Sequence, residues 1–142
     1  MLVRSIFPIV GFMVCLAVFG SSQQKEIRHV PVRPTSPASG AEMYTLYCAV
    51  CHGVDGRGNG PAAEALKVPP SDLTNLTGKN RGKYPSDHVT RAIQGDLRLP
   101  VHGSKEMPVW GALFWDMSQG HSSEVQLRVT NLNKYIESLQ AK

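Results

Sequence analysis

Residues 48–52 read Cys-Ala-Val-Cys-His, and no other stretch restricts what this chain can fold into as strongly. Two thiols three residues apart fall on one side of a single helical turn, and an imidazole follows the second directly. Each thiol can then add across one vinyl group of a haem, while His52 falls under the porphyrin plane, where a ring nitrogen can bind iron. Other readings of the five residues are weaker. A structural zinc site needs about four ligands in paired clusters, and the third cysteine, Cys15, stands alone in an apolar N-terminal stretch. A redox-active dithiol of the thioredoxin kind wants a βαβ setting, and no strand pattern surrounds this pair. The motif therefore predicts one covalently bound haem c, attached through Cys48 and Cys51 with His52 as an iron ligand. It leaves no cysteines for a disulfide framework.

The chain of 142 residues is long enough for one domain with additions. Residues 1–22 have the layout of a targeting segment: Arg4, then the charge-free run Ile6 to Phe19, then Gly20, Ser21 and Ser22. A run of 14 residues is short for a membrane span, which needs about 20. Cleavage is therefore expected, with an uncleaved N-terminal anchor as the alternative. In both cases the remainder is exported or periplasmic, and membrane attachment depends on retention of this segment. Residues 23–38, with Pro31, Pro34 and Pro37, read as an extended solvated linker carrying His29. The formal charge of +4 falls to +3 without Arg4. That suits weak steering toward an acidic partner. The basic residues are too scattered for a nucleic-acid face.

The domain is expected over residues 39–142. Ser39 and Glu42 fit a capping box, and Met43, Leu46, Tyr47 and Val50 follow helical spacing into the cysteine pair. The glycine-rich run from Gly53 to Pro61 has no preceding strand, so a loop approaching the haem edge is a better reading than a phosphate cradle. A short turn is expected over Ala62 to Leu66, then an irregular stretch from Pro69 on. Lys79, Arg81 and Lys83 read as a small solvated basic cluster. Ser86 and Asp87 cap a second helix ended by Gly95, with His88 on its surface. Leu97 and Leu99 could line the haem. Trp110 to Met117 reads as a short aromatic helix. In the last helix, Ser123 and Gln126 form a capping box, and Val125, Val129, Leu132, Ile136 and Leu139 make one apolar stripe.

The sixth position on the iron has several candidates. Met43 shares a short helix with the cysteines and can hardly reach the opposite haem face. Met117 falls in an apolar, helix-compatible stretch, where core packing is the commoner role. Met107 stands before Pro108, which favours an extended backbone able to lay a thioether over the iron. His102, in the same loop, is its rival.

From about Ser39 onward the chain resembles a class I monohaem c-type cytochrome of the small bacterial kind. Gly40 and Tyr44 stand eight and four residues before the first haem cysteine, as in that family, and Leu132 and Tyr135 match the pair of its C-terminal helix. Gly60-Pro61 resembles the segment whose proline carbonyl accepts a hydrogen bond from the proximal histidine. Met107-Pro108-Val109-Trp110-Gly111 resembles the loop that brings the axial methionine. The departures are the proline-rich N-terminal extension and the aromatic residues around Phe114 and Trp115. The resemblance implies an all-α cytochrome c fold, three to five helices around one haem, with the first and last helices crossing. It implies iron ligated by His52 and Met107, with Pro61 beside the histidine. Iron closed on both faces favours one-electron transfer without substrate binding. An electron carrier in an exported respiratory chain is therefore expected, and not an enzyme. Its partners would be a redox donor and acceptor, including membrane-bound respiratory complexes. Two other classes remain open: a haem-bearing subunit of a larger membrane oxidoreductase, and a haem enzyme or sensor with a displaceable sixth ligand.

Overall fold

The computed structural model describes residues 32–96 and 107–141. The targeting segment, most of the expected linker with His29, and Leu97, Leu99 and His102 lie outside the described residues.

Among the described residues there are helices and loops and no strand. In chain order the helices are α1 (Gly40–Met43), α2 (Ala49–His52), α3 (Leu76–Lys79), α4 (Ser86–Gln94), α5 (Trp110–Met117) and α6 (Ser122–Ser138). A π-helical segment, Tyr44–Cys48, joins α1 to α2 into one continuous first helix, and a single 3-10 turn spans Ala63–Ala65. None of the helices among the described residues is long and apolar enough to cross a membrane.

The first helix starts where the sequence predicts. Ser39 is extended and its hydroxyl accepts a hydrogen bond from the Glu42 N–H at 3.2 Å, satisfying one of the orphan donors of the first turn. Glu42 does not close the box onto Ser39. Its carboxylate accepts from the Ser36 N–H instead, at 3.1 Å.

The first helix crosses α6 at Gly40. A Cβ there would overlap the Asn131 carbonyl oxygen and lie 2.9 Å from Tyr135 Cβ, so only glycine lets the backbones come this close. One turn on, the Tyr44 ring packs against Tyr135 with centroids 5.2 Å apart. Met43, Tyr44, Val129 and Leu132 are fully buried around the crossing. The expected stripe on α6 is its inner face: Val129, Leu132 and Ile136 are core, and Val125 and Leu139 flank it.

The boundaries differ from the sequence reading in several places. Residues 32–38 are not merely solvated linker. Thr35 is buried, its carbonyl and hydroxyl oxygens accept from Arg128 at 3.0 and 3.1 Å, and the Pro37 carbonyl accepts from Asn131 at 2.9 Å. A proline-rich composition suggested solvation, but these bonds to α6 pin the segment to the domain. Helix α6 begins at Ser122 with His121 as N-cap, and no side chain caps it. Gln119 and Gly120 both have positive φ, which reverses the chain early and delivers the helix before Ser123. Helix α4 likewise includes Ser86, after Pro85. Its C-terminus is as predicted, with Gly95 left-handed and the Asp96 N–H returning to the Arg91 carbonyl at 2.9 Å. Helix α3 lies in the stretch read as irregular.

Helix α4 is keyed to α6 by polar contacts. Asn133, buried, donates to the Ser86 carbonyl at 2.8 Å and to the Thr90 hydroxyl at 2.7 Å, and accepts from the Tyr84 hydroxyl at 2.8 Å.

Candidate functional site

Cys48, Cys51 and His52 occupy the end of the first helix, and the chain that follows is laced back onto it. The N–H groups of Gly58, Gly60 and Ala62 donate to the carbonyls of His52, Cys51 and Val50 at 2.7, 3.0 and 2.9 Å. The loop therefore satisfies the carbonyls that a helix C-terminus leaves without partners. The Tyr44 hydroxyl reaches from inside the helix to the Gly53 carbonyl at 2.7 Å. A second pass of chain then covers the loop, with the Leu73 N–H on the Gly56 carbonyl at 2.7 Å.

That second pass supplies the partner of the histidine. His52 Nδ1 donates to the Ser71 carbonyl at 2.9 Å. A carbonyl can only accept, so Nδ1 carries the proton and the lone pair is left on Nε2, the form that binds a metal. The resemblance placed Pro61 in this role, and the structure corrects it. Pro61 is exposed, in the strand of loop that runs back along Val50 to His52. The chain reaches the imidazole only ten residues later, after the 3-10 turn. Ser71 itself is held by its neighbours: the Asp72 carboxylate accepts from the N–H and hydroxyl of Thr74 at 2.8 and 2.7 Å, which fixes a turn there. The run Pro69-Pro70-Ser71-Asp72 carried the only available signal, a stiff segment followed by a turn former. A backbone acceptor has no side-chain signature of its own.

Burial sets the charge state of the site. The Cys48 thiol is pushed up to about 12, mainly by burial and then by its neighbour Cys51. Burial also raises the Cys51 thiol. It lowers His52, against the opposing pull of the Ser71 carbonyl. A neutral imidazole is the form that can ligate iron through its free nitrogen. Among the described residues no group of three or more His, Cys, Asp or Glu side chains could hold a metal ion. The residues present thus fit a haem: two thiols one turn apart, and beside them an imidazole with its outer N–H engaged and Nε2 available.

The other candidates fall out as follows. Met43 is fully buried in the helix crossing. Met117 packs against the core with its sulfur 3.6 Å from the Tyr47 hydroxyl. Met107 lies outside any helix and is 40% exposed. His88 is half-buried on α4, and Lys79, Arg81 and Lys83 are exposed. The aromatic helix turns Trp110 and Phe114 inward and leaves Trp115 half exposed. Trp110 stacks on Tyr47 with centroids 5.0 Å apart, and Phe114 is fully buried beneath the Arg128 guanidinium at 6.0 Å.

A family model described as Cytochrome c matches residues 37–140. No curated protein and no solved structure matches the chain.

Proposed function

The chain belongs to the cytochrome c family, carrying one covalent haem c for electron transfer, and from that premise we propose that it is an exported electron carrier with His/Met-ligated iron. The observation that carries this reading is the His52 ring, oriented by Ser71 and adjacent to two thiols on the same turn. Cys48 and Cys51 would take the two thioether bonds and His52 Nε2 the proximal position. Met107 is the best-supported sixth ligand, because the other described methionines are committed to the core.

When bound, the haem supplies the one-electron couple. The protein's own residues hold the imidazole in one tautomer and orientation, which limits rearrangement between oxidation states. Thioether ligation favours a higher potential than a second imidazole would. Residues 1–22 support export, since a short apolar run behind a single arginine is what translocation reads.

The test is spectroscopic. Holoprotein matured in a host that attaches haem c should retain the haem after denaturation and show the weak red band of a sulfur–ferric bond. Met107→Ala should abolish that band and open the ferrous iron to carbon monoxide. Carbon monoxide binding by the unaltered protein would point instead to a sensor or enzyme, and a wild type without the band would remove Met107. Fractionation with membranes after cleavage of residues 1–22 would favour a subunit of a larger complex.

A further inference from the structure

Trp110 lies three residues after Met107 and is buried at the start of α5. Its ring stacks on Tyr47 at 5.0 Å with 25° between the planes, and Tyr47 is the residue directly before Cys48. From the other side the end of α4 closes on the same segment. A Cβ on Gly111 would lie 2.8 Å from the Gln94 carbonyl oxygen, and one on Gly95 would lie 2.5 Å from Val109 Cγ1. The residues on both sides of Trp110 are therefore held between α4 and the first helix.

Tyr47 is itself braced. Its hydroxyl donates to the Arg33 carbonyl at 2.6 Å and pairs with the Thr35 hydroxyl at 2.9 Å. Thr35 accepts from Arg128, which is buried and paired with Glu124 at 2.8 Å. Arg128, Thr35, Tyr47 and the Arg33 carbonyl thus form one hydrogen-bond chain behind the stacked ring.

We propose that Tyr47 and Trp110 are positioning residues for the sixth ligand, a clamp that anchors the Met107 segment to the same helix that carries the haem-attaching cysteines. The two rings act by limiting how far Met107 can swing. The inference rests on Met107 being the ligand. A loosened methionine leaves the iron open for a larger fraction of the time, and a competing ligand binds more tightly in proportion to that fraction.

The experiment is imidazole titration of the ferric holoprotein, read by loss of the red sulfur–iron band, alongside a denaturation midpoint. Met107→Ala sets the ceiling of imidazole affinity. Trp110→Ala should tighten imidazole about tenfold toward that ceiling, the scale expected for loss of a buried aromatic pair. Tyr47→Phe keeps the ring but cuts the tie to Arg33 and Thr35, and should tighten it about twofold to fivefold. Trp110→Phe, the safer variant for folding, should act in the direction of Trp110→Ala with a smaller effect. Ile136→Ala, a core deletion on α6, should lower the midpoint and leave imidazole affinity unchanged. Equal tightening by Ile136→Ala, or none by either Trp110 variant while Met107→Ala removes the band, overturns the clamp alone. A band that survives Met107→Ala removes the ligand assignment and the clamp with it.

Discussion

The two sides of the site are held in different ways. On the histidine side, Cys48, Cys51 and His52 are fixed by bonds reaching no further along the chain than Ser71, and nearly all are backbone to backbone. On the side where we place the methionine ligand, Met107 is exposed, and its segment is held through side chains that meet across 63 residues, Tyr47 with Trp110. Backbone lacing is insensitive to most substitutions because every residue but proline offers the same groups. A clamp of two rings depends on both of them. The first side should therefore be broken only by removing its chemistry or its glycines, and the second by ordinary side-chain changes.

The largest effect should come from the thiols. Cys48→Ala or Cys51→Ala should leave haem singly linked or lost, with the domain poorly folded, since a small core built around a prosthetic group depends on it. Mass spectrometry of denatured protein, with far-UV circular dichroism, checks both halves. Full helix content without any haem would show that the histidine side folds on its lacing alone.

Next in size is the crossing that supports that side from behind. Gly40→Leu drives a side chain into the Asn131 carbonyl and Tyr135. The helices must part, which should cost roughly 3 kcal/mol, the upper end of ordinary overpacking. Chemical denaturation measures it, and an unchanged midpoint would mean that α1 frays at no cost.

A smaller loss is expected at Arg128, which braces the methionine side. Arg128→Met removes a buried cation but leaves Glu124 partly in water, where it can resolvate. The Thr35 carbonyl loses its partner, so the expected cost is about 1–3 kcal/mol. The strap of residues 33–35 should also become more open to proteolysis. A neutral result would show that water replaces the guanidinium, leaving Tyr47 unbraced by it.

How much of this could be read in advance follows the same division. The cysteine pair, the Ser39 cap, the Gly95 cap and the α6 stripe are local patterns, each spelled by side chains a few residues apart. Gly40, Tyr44 and Tyr135 were legible through the family resemblance, and the structure brings them together. Ser71 was illegible because its contribution is a carbonyl. The bonds from Arg128 to Thr35 span 93 residues, and nothing in either neighbourhood names the other. The π-helical segment was equally hidden. It inserts one residue's worth of slack into the turn that ends at Cys48, and two of its residues are tied to separate parts of the chain, Tyr44 to the Gly53 carbonyl and Tyr47 to the Arg33 carbonyl.

The smallest effects test which carbonyl orients the histidine. Pro61 is exposed and accepts nothing from His52 in this arrangement, so Pro61→Ala should shift stability by less than about 0.5 kcal/mol and leave the proximal ligand untouched. Gly58→Ala makes a sharper probe. Gly58 has φ 81, and a Cβ there would collide with the Pro70 carbonyl and lie 3.6 Å from the Ser71 carbonyl carbon. The added methyl pushes residues 70–71 off the loop and draws the acceptor away from Nδ1. The stability cost should be about 1 kcal/mol or somewhat more, since a left-handed backbone refuses the side chain as well. The decisive reading is the iron–histidine stretch in the Raman spectrum of a five-coordinate ferrous state, prepared in the Met107→Ala background. A weaker hydrogen bond at Nδ1 makes imidazole a poorer donor to iron, so the stretch should move to lower frequency in Gly58→Ala and stay in place in Pro61→Ala. The reverse pattern would return the role to Pro61 and show that the pass through Ser71 moves aside when the domain is complete.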